Sequence, residues 1–294
     1  MEIRKSQHRW AIFFAVLAAA LYAVSMPLSK ILLRHVSPMM MAAFLYIGAG
    51  TGMLLFSLIR PHIRLTDREN RLDRKDLPYT LAMVSLDIAA PILLMFGLKT
   101  TAAANASLLN NFEIVATAVI ALLLFHEQVS RRLWFAIILV TVACMLLTIN
   151  DASSLSFSTG SLLVLAACIC WGLENNCTRC ISNKDPMEIV TIKGFGSGFG
   201  SLCIALCVGE TFPQWQYVPS VMILGFVAYG MSIYFYTYAQ RTIGAAKTST
   251  FYAVAPFIGM LLSFAILGEE ITVSFIIALA IMIAGAYLAT FDKA

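Results

Sequence analysis

The chain has 294 residues, of which 60% are hydrophobic and 12% charged. Water-soluble domains carry about twice that charged share, which excludes a soluble enzyme. The formal net charge of +4 does not indicate nucleic acid, because the basic residues sit between apolar runs, where they orient a membrane protein.

Those apolar runs are each about 20 residues long, enough to cross a hydrocarbon core about 30 Å thick, so the fold class is an all-α polytopic membrane protein. Ten spans are predicted, at 10–33, 39–59, 77–98, 101–126, 132–149, 160–182, 187–208, 218–239, 244–267 and 271–290. The first follows the basic stretch MEIRKSQHRW and imitates a secretory signal with a cut near Ala23–Ser25. Its apolar pattern continues to Leu33, so it is read as a retained span. With the N-terminus in the cytoplasm, 14 Lys and Arg fall on inside segments, six of them in loop 60–76, and Arg34 and Lys99 alone fall at outside ends. The positive-inside rule then places both termini in the cytoplasm. Lys30, Arg179, Lys193 and Lys247 remain within or near the spans. Seven cysteines lie in apolar spans. Cys177 and Cys180 form a CxxC with no second CxxC and no nearby histidine, so small buried residues are expected, not zinc, redox or disulfide sites.

The halves repeat. GAGTGML at 48–54 matches GSGFGSL at 196–202, an offset of 148 that puts Gly48, Gly50 and Gly52 on Gly196, Gly198 and Gly200, and Pro38 on Pro186. Further on the offset is 142, relating Lys99 to Arg241, Ala103 to Ala245 and Glu127 to Glu269. Residues 1–150 and 151–294 are therefore read as two five-span repeats. An odd number of spans forces the second into the membrane upside down, the inverted-repeat plan of secondary transporters with a midplane site.

Trp171–Gly172 with Arg179 and Pro186, NFEIVATAVIALLLFHE from Asn111, and APFIGMLLSFAILGEEITVSFIIALAIMIAGAYL from Ala255 resemble the two repeats of the EamA family of the drug/metabolite transporter superfamily. The likeness covers nearly the whole chain. In the first half Tyr22–Ala23 stands where Trp-Gly is usual, and Ile114 where a proline commonly follows the glutamate. The resemblance implies ten helices, a central cavity lined mainly by spans 1–4 and 6–9, peripheral spans 5 and 10, and export of small metabolites, often amino acids. It also implies a bacterial cytoplasmic membrane.

An ionisable group within a span costs about 2.5–3.5 kcal/mol on insertion scales and is a functional-site candidate by default. Glu113 lies near mid-depth of the fourth span. On one continuous helix it would share a face with Asn110 and Thr117, with Asn111 alongside. It either binds a substrate amine or carries a proton, against a fixed polar contact that locks helices together. Asp87 lies four residues before Pro91, which would bend the third span at a site or hinge, against an aspartate that merely faces a vestibule. Glu174 follows Trp171, a position the family points into the cavity, and either touches substrate or pairs with Arg179 or Lys193. Lys193 sits six residues into its span. Snorkelling to the interface accounts for most such cations, while Lys30 and Arg179, placed alike in the two repeats, are expected to share a structural duty at opposite faces. Tyr229 is the cavity candidate within an aromatic run that is otherwise interfacial belt and packing. Gly48, Gly52, Gly196 and Gly200 are close-packing surfaces, and Pro91 and Pro256 are hinge positions. His126–Glu127 has no second histidine for a zinc site and marks a helix end.

No cofactor, metal or catalytic group is expected. The function that follows is a secondary exporter of small polar metabolites, amino acids or related compounds, by alternating access. It would run in exchange for protons if Glu113 or Asp87 must deprotonate to bind cargo. A zwitterion would place its amine on Glu113 or Asp87 and its carboxylate on Lys193 or on backbone N–H groups. Alternatives are multidrug efflux of lipophilic cations and a non-transporting scaffold or sensor. The expected partners are the substrate, the bilayer and protons, in a monomer or homodimer.

Overall fold

Inside a bilayer each backbone polar group must find its partner within the chain, so helices are the economical solution. The computed structural model describes residues 2–59, 72–125, 130–151, 156–181, 184–243, 248 and 251–290. Among them eight helices, Arg9–Leu32 to Val218–Tyr236, are long and apolar enough to span a membrane, and Ala255–Leu267 and Val273–Ala289 are shorter apolar helices. These are the ten expected spans, in two inverted five-helix repeats. A short antiparallel pairing, Ile149–Asp151 with Ser156–Phe157, joins spans 5 and 6. Most of loop 60–76 (with Arg60, Arg64, Arg68 and Arg71), His126–Glu127 and Lys247 lie outside the described residues.

Several spans are interrupted, each for a local reason. The first is two helices, Glu2–Ala23 and Ser25–Leu32, because Pro27 has no N–H to donate to the Ala23 carbonyl. The fourth was expected to be continuous, but it divides into Ala103–Leu109 and Phe112–Phe125. Between them Asn111 N, Glu113 N and Ile114 N each bond three residues back, and the Asn111 amide also donates to Leu108 O at 3.1 Å. Asparagine competes with the helix for backbone partners, and here it wins. The eighth span passes from Val218–Gly225 through a π-helical turn, Phe226–Met231, to Ser232–Ile243. In the ninth, Pro256 does not kink a helix. It stands in the first turn of Ala255–Leu267, just after a turn at 253–254, where its missing N–H is harmless.

Packing follows the repeat. Span 3 packs on span 6 as span 8 packs on span 1, span 4 meets span 6 as span 9 meets span 1, and span 3 meets span 7 as span 8 meets span 2. Spans 2 and 7, 4 and 9, and 5 and 10 pair with their own counterparts. Exchanging each span for its repeat partner leaves this pattern unchanged, as a two-fold relation requires. Spans 5 and 10 contact chiefly each other, at the periphery.

The glycine ladders are the seams of this packing. A Cβ at Gly48 would overlap the Met222 backbone and one at Gly225 the Leu45 carbonyl, while Gly52 faces Phe226, all between spans 2 and 8. Gly196 and Gly200 do the same against Val84 and Ile88 of span 3. The cysteines divide: Cys144, Cys168 and Cys177 are buried, but Cys180, Cys203 and Cys207 are exposed beside apolar residues such as Ile204 and Leu206. Lipid solvates a thiol as readily as a protein core does, so a span position alone does not bury one.

The end expected to face outside is tied by charges on helix termini. Lys30 does not snorkel. Its ammonium donates to Leu98 O and Thr101 O, each at 2.6 Å, at the C-terminus of span 3. The Glu269 carboxylate accepts from Ala103 N at 2.7 Å and Ala104 N at 2.8 Å, and Glu210 accepts from Ser37 Oγ at 2.6 Å and Met40 N at 3.0 Å. At the other end Lys184 bridges Asp76 at 2.8 Å and Asp73 at 3.3 Å.

Gly48→Ala or Gly225→Ala should destabilise the protein by about 1–3 kcal/mol or more, whereas Gly196→Ala, whose neighbour is a movable Val84 side chain, should cost less. Thermal unfolding in detergent checks the order.

Outside the spans, Asp73 is held below the usual carboxylate range by the Lys75 N–H and then by Lys184, and Asp76 by Lys184 first, while Asp76 raises Lys184. With the carboxyls depressed, their contribution is present above their unfolded value and lost as pH falls through the folded ones. With Lys184 raised, its own contribution holds until strongly alkaline pH. The protection of the amides at residues 72–76, taken relative to the intrinsic exchange rate at each pH, should therefore be steady through neutral pH and fall below about pH 4.

Candidate functional site

Two small groups of polar side chains meet where spans 2, 3, 4, 6 and 7 converge. In the first, Lys193 of span 7 places its ammonium 2.9 Å from Glu174 Oε1 of span 6 and 3.1 Å from Asp87 Oδ2 of span 3. Asp87 is fully buried, and its other oxygen accepts from the Tyr46 hydroxyl of span 2 at 3.2 Å. Glu174 also accepts a short hydrogen bond from Thr178 one turn on. Of the partners expected for Glu174, Lys193 is the one observed.

The second group surrounds Glu113. Gly172 lets spans 4 and 6 approach until a Cβ there would stand 2.6 Å from the Ala116 Cβ. Across that contact Asn175 donates to Glu113 Oε1 at 2.7 Å and to Thr117 Oγ1 at 3.3 Å, and Asn176 donates to Thr117 O at 3.1 Å. Thr117 thus shares the Glu113 face as expected. Asn110 does not touch Glu113 but meets two side chains that border it: its amide donates to the Tyr22 hydroxyl at 3.1 Å, and its carbonyl faces Cys168 Sγ at 3.8 Å. Asn111 shapes the break, with its Oδ1 buried and unpartnered. Trp171 is buried with its indole beside the Tyr46 hydroxyl. Pro91 is buried within the unbroken helix Leu77–Thr100.

Facing the carboxylates is a wall of tyrosine rings. Tyr229 lies 5.4 Å from Tyr46 and 5.8 Å from Tyr22, and Tyr22 lies 6.0 Å from Tyr252, between ring centroids. Tyr252 also meets Tyr236 at 5.0 Å and shares a hydroxyl contact of 3.3 Å with Ser232. Tyr229 is only 5% exposed, and its hydroxyl and that of neighbouring Ser25 lack a hydrogen bond of normal geometry. Tyr22, Glu113, Asn175 and Tyr252 stay partly exposed although each touches other spans.

Sequence reasoning missed Tyr22, Tyr46, Tyr252 and the role of Asn175. A signal existed in the repeat itself. The offset of 142 that relates Lys99 to Arg241 also relates Asp87 to Tyr229 and Asn110 to Tyr252. Chemically, among the described residues the site opposes three carboxylates to one ammonium, and its remaining donors are neutral amides and hydroxyls. Among the described residues no group of three His, Cys, Asp or Glu converges as metal ligands would.

Comparison with known proteins places this geometry in context. The model of the EamA-like transporter family matches residues 9–149 and again 158–291. An uncharacterized transporter of Methanothermobacter thermautotrophicus is 28% identical over 295 aligned residues, covering 95% of this chain and 85% of that protein. The uncharacterized transporter YyaM of Bacillus subtilis is 23% identical, covering 90% of this chain and 88% of its own length. One crystal structure aligns over 95% of both chains with a TM-score of 0.66 at 16% identity, a likeness of fold.

Removing one member of a buried ion pair strands the others, so Lys193→Met should lower stability by about 3–5 kcal/mol. Adding Asp87→Asn and Glu174→Gln to that variant should recover much of the loss, because no charge is then left alone. Thermal unfolding of the single and triple variants in nanodiscs checks both.

Proposed function

This chain belongs to the EamA-like transporter family, and we propose that it is a secondary transporter exporting small polar metabolites that bear an amino group, the class of amino acids and related compounds, in exchange for protons. The observation that carries this reading is the setting of Glu113. Glu113 is a half-buried residue just past a helix break, and among the described residues its carboxylate is met by a neutral amide, Asn175, and not by a cation. A carboxylate so placed takes either a proton or a substrate ammonium, and the two compete for the same oxygens. Loading from one side as a protonated amine and returning from the other as a carboxylic acid gives exchange. An amino acid is net neutral, so one amino acid out for one proton in carries one positive charge inward. The membrane potential, at about 2.3 kcal/mol per 100 mV, then drives the exchange together with the proton concentration gradient. Asp87 and Glu174 already hold Lys193, and serve to fix the site.

Access alternates as the two repeats rock about the glycine seams between spans 2, 7 and 8. The basic loops support an orientation with both termini in the cytoplasm, and the family membership supports a place in the cell membrane. The polar tie from span 3 to spans 6 and 7 lets a single chain form the complete site, whether it is a monomer or one member of a homodimer.

In liposomes carrying a pH-sensitive dye, pooled amino compounds should drive proton movement. Glu113→Gln should reduce it at least about tenfold while the protein still folds. Undiminished proton movement in that variant, or substrate flux with no proton movement, would sink the exchange mechanism.

A further inference from the structure

Resting on the reading of the Glu113 site as a transport site for amino acids, we propose that the substrate's carboxylate is received by the hydroxyls of Ser25 and Ser29 on span 1 and Tyr229 on span 8, and not by Lys193. The first ground is charge. Lys193 holds its ammonium within 3.1 Å of carboxylates on two other spans. A substrate carboxylate there would have to displace one of them and strand a buried charge. An amino acid therefore needs donors that are not already engaged.

The second ground is the repeat. Tyr22 and Trp171 are 149 residues apart, as are Lys30 and Arg179, and the same offset sets Ser25 on Glu174. It also sets Ser29 on Thr178, the hydrogen-bond partner of Glu174. The offset of 142 sets Tyr229 on Asp87, and that of 148 sets Leu45 on Lys193. Each member of the ion cluster thus has a counterpart, and part of the geometry is kept. Glu174 and Asp87 meet through Lys193, while Ser25 and Tyr229 meet directly, hydroxyl beside hydroxyl. The chemistry is not kept: hydroxyls stand for the two acids, and a fully buried leucine for the lysine. What is a closed ion cluster in one half is a set of neutral donors in the other.

The third ground is that these donors are unspent. Elsewhere in the bundle a helical Ser or Thr settles on the carbonyl four residues back, as Thr141, Thr148, Thr191 and Ser263 do at 2.7 Å. Ser25 and Ser29 do not. They are 2% and 0% exposed, and among the described residues neither makes a hydrogen bond of normal geometry. Tyr229 has Ser25 beside it and no other hydroxyl partner. Even a full bond between those two would use one of their two hydrogens and leave the other without an acceptor. Buried donors left so are costly, and a carboxylate, with two acceptor oxygens, is the part of an amino acid that satisfies them. Tyr22 joins this set to the rest of the site. Its ring lies 5.8 Å from that of Tyr229, and its hydroxyl, bonded by Asn110, borders Glu113. The amine then sits on Glu113 and Asn175, and the carboxylate on the hydroxyls across Tyr22.

Pairs that differ by the carboxylate alone test this: leucine with 3-methylbutylamine, alanine with ethylamine, and phenylalanine with 2-phenylethylamine. Calorimetric binding to the wild-type protein in nanodiscs should favour the amino acid over its amine by about tenfold or more in the pair whose side chain fits. Tyr229→Phe and Ser25→Ala, which each remove one hydroxyl, should weaken that amino acid by about tenfold and leave its amine within about twofold. Glu113→Gln should instead weaken both members of the pair. An amine that binds as tightly as its amino acid, hydroxyl variants that weaken both alike or neither, or no binding in any pair would overturn the proposal. The proton assay keeps the two conclusions apart. Amino-acid binding of the expected pattern without proton movement leaves the carboxylate site standing and removes the exchange. Proton movement driven as well by amines as by amino acids removes the carboxylate site and leaves the exchange.

Discussion

One ammonium group organises the interior of this molecule. A charge far from water must find its counter-charge within the protein, and Lys193 finds two, Asp87 on span 3 and Glu174 on span 6. Span 3 belongs to the first repeat and spans 6 and 7 to the second, so the pairing ties the halves at one level. Tyr46, donating to Asp87, extends the tie to span 2. Parting any of these groups would expose an uncompensated charge, so a transport cycle that moves the halves must pivot around this cluster and leave it whole. On the proposed mechanism Glu113 is the acid that changes partners, since it gives up only an amide when Asn175 lets go.

The scaffold is symmetric and the site is not. Each seam glycine of span 2 has its counterpart in span 7, and the pairing of spans survives exchange of the repeats. Yet the repeat partners at the centre have diverged in chemistry. Asp87 corresponds to Tyr229, Asn110 to Tyr252 and Glu113 to Ala255. Glu174 aside, the first half brings the acids and the second much of the aromatic wall. A two-fold frame can expose the site alternately to either side of the membrane, and the unlike halves then let the two exposures differ in which ligand they retain.

What the sequence disclosed, and what it withheld, follows from the kind of force involved. Span number and repeat were legible because hydropathy and an offset in glycine positions are properties of the chain alone. Glu174 and Lys193 were legible as candidates because a charge in an apolar run stands out, and their pairing was one of two options because charges in lipid seldom stay single. The break at Asn110–Asn111 was hidden, since asparagine can accept a helix or bend it, and the outcome turns on a side-chain amide finding Leu108 O. The tyrosine wall was hidden for another reason: a Tyr in a span suits a lipid interface as well as an interior, and only the packing of spans 1, 2, 8 and 9 separates the two. For Lys30 a structural duty was legible from its repeat partner Arg179, but not the carbonyls it serves, because its long stem can reach a headgroup or the end of a neighbouring helix.

The interruptions bear on how Glu113 can work. The break in span 4 and the turn at 253–254 in span 9 fall at corresponding places in the two repeats, and each begins a new helix inside the bundle. Helix starts carry the positive end of the helix dipole. Glu113 lies in the first turn of Phe112–Phe125, so the backbone itself offsets part of its negative charge. A carboxylate compensated by a fixed lysine would bind a second cation weakly and release it readily. One compensated by nothing could not stay ionised in the absence of cargo. Partial compensation by a helix terminus lies between these limits, and it is the condition under which a proton and an ammonium can replace each other at the same oxygens.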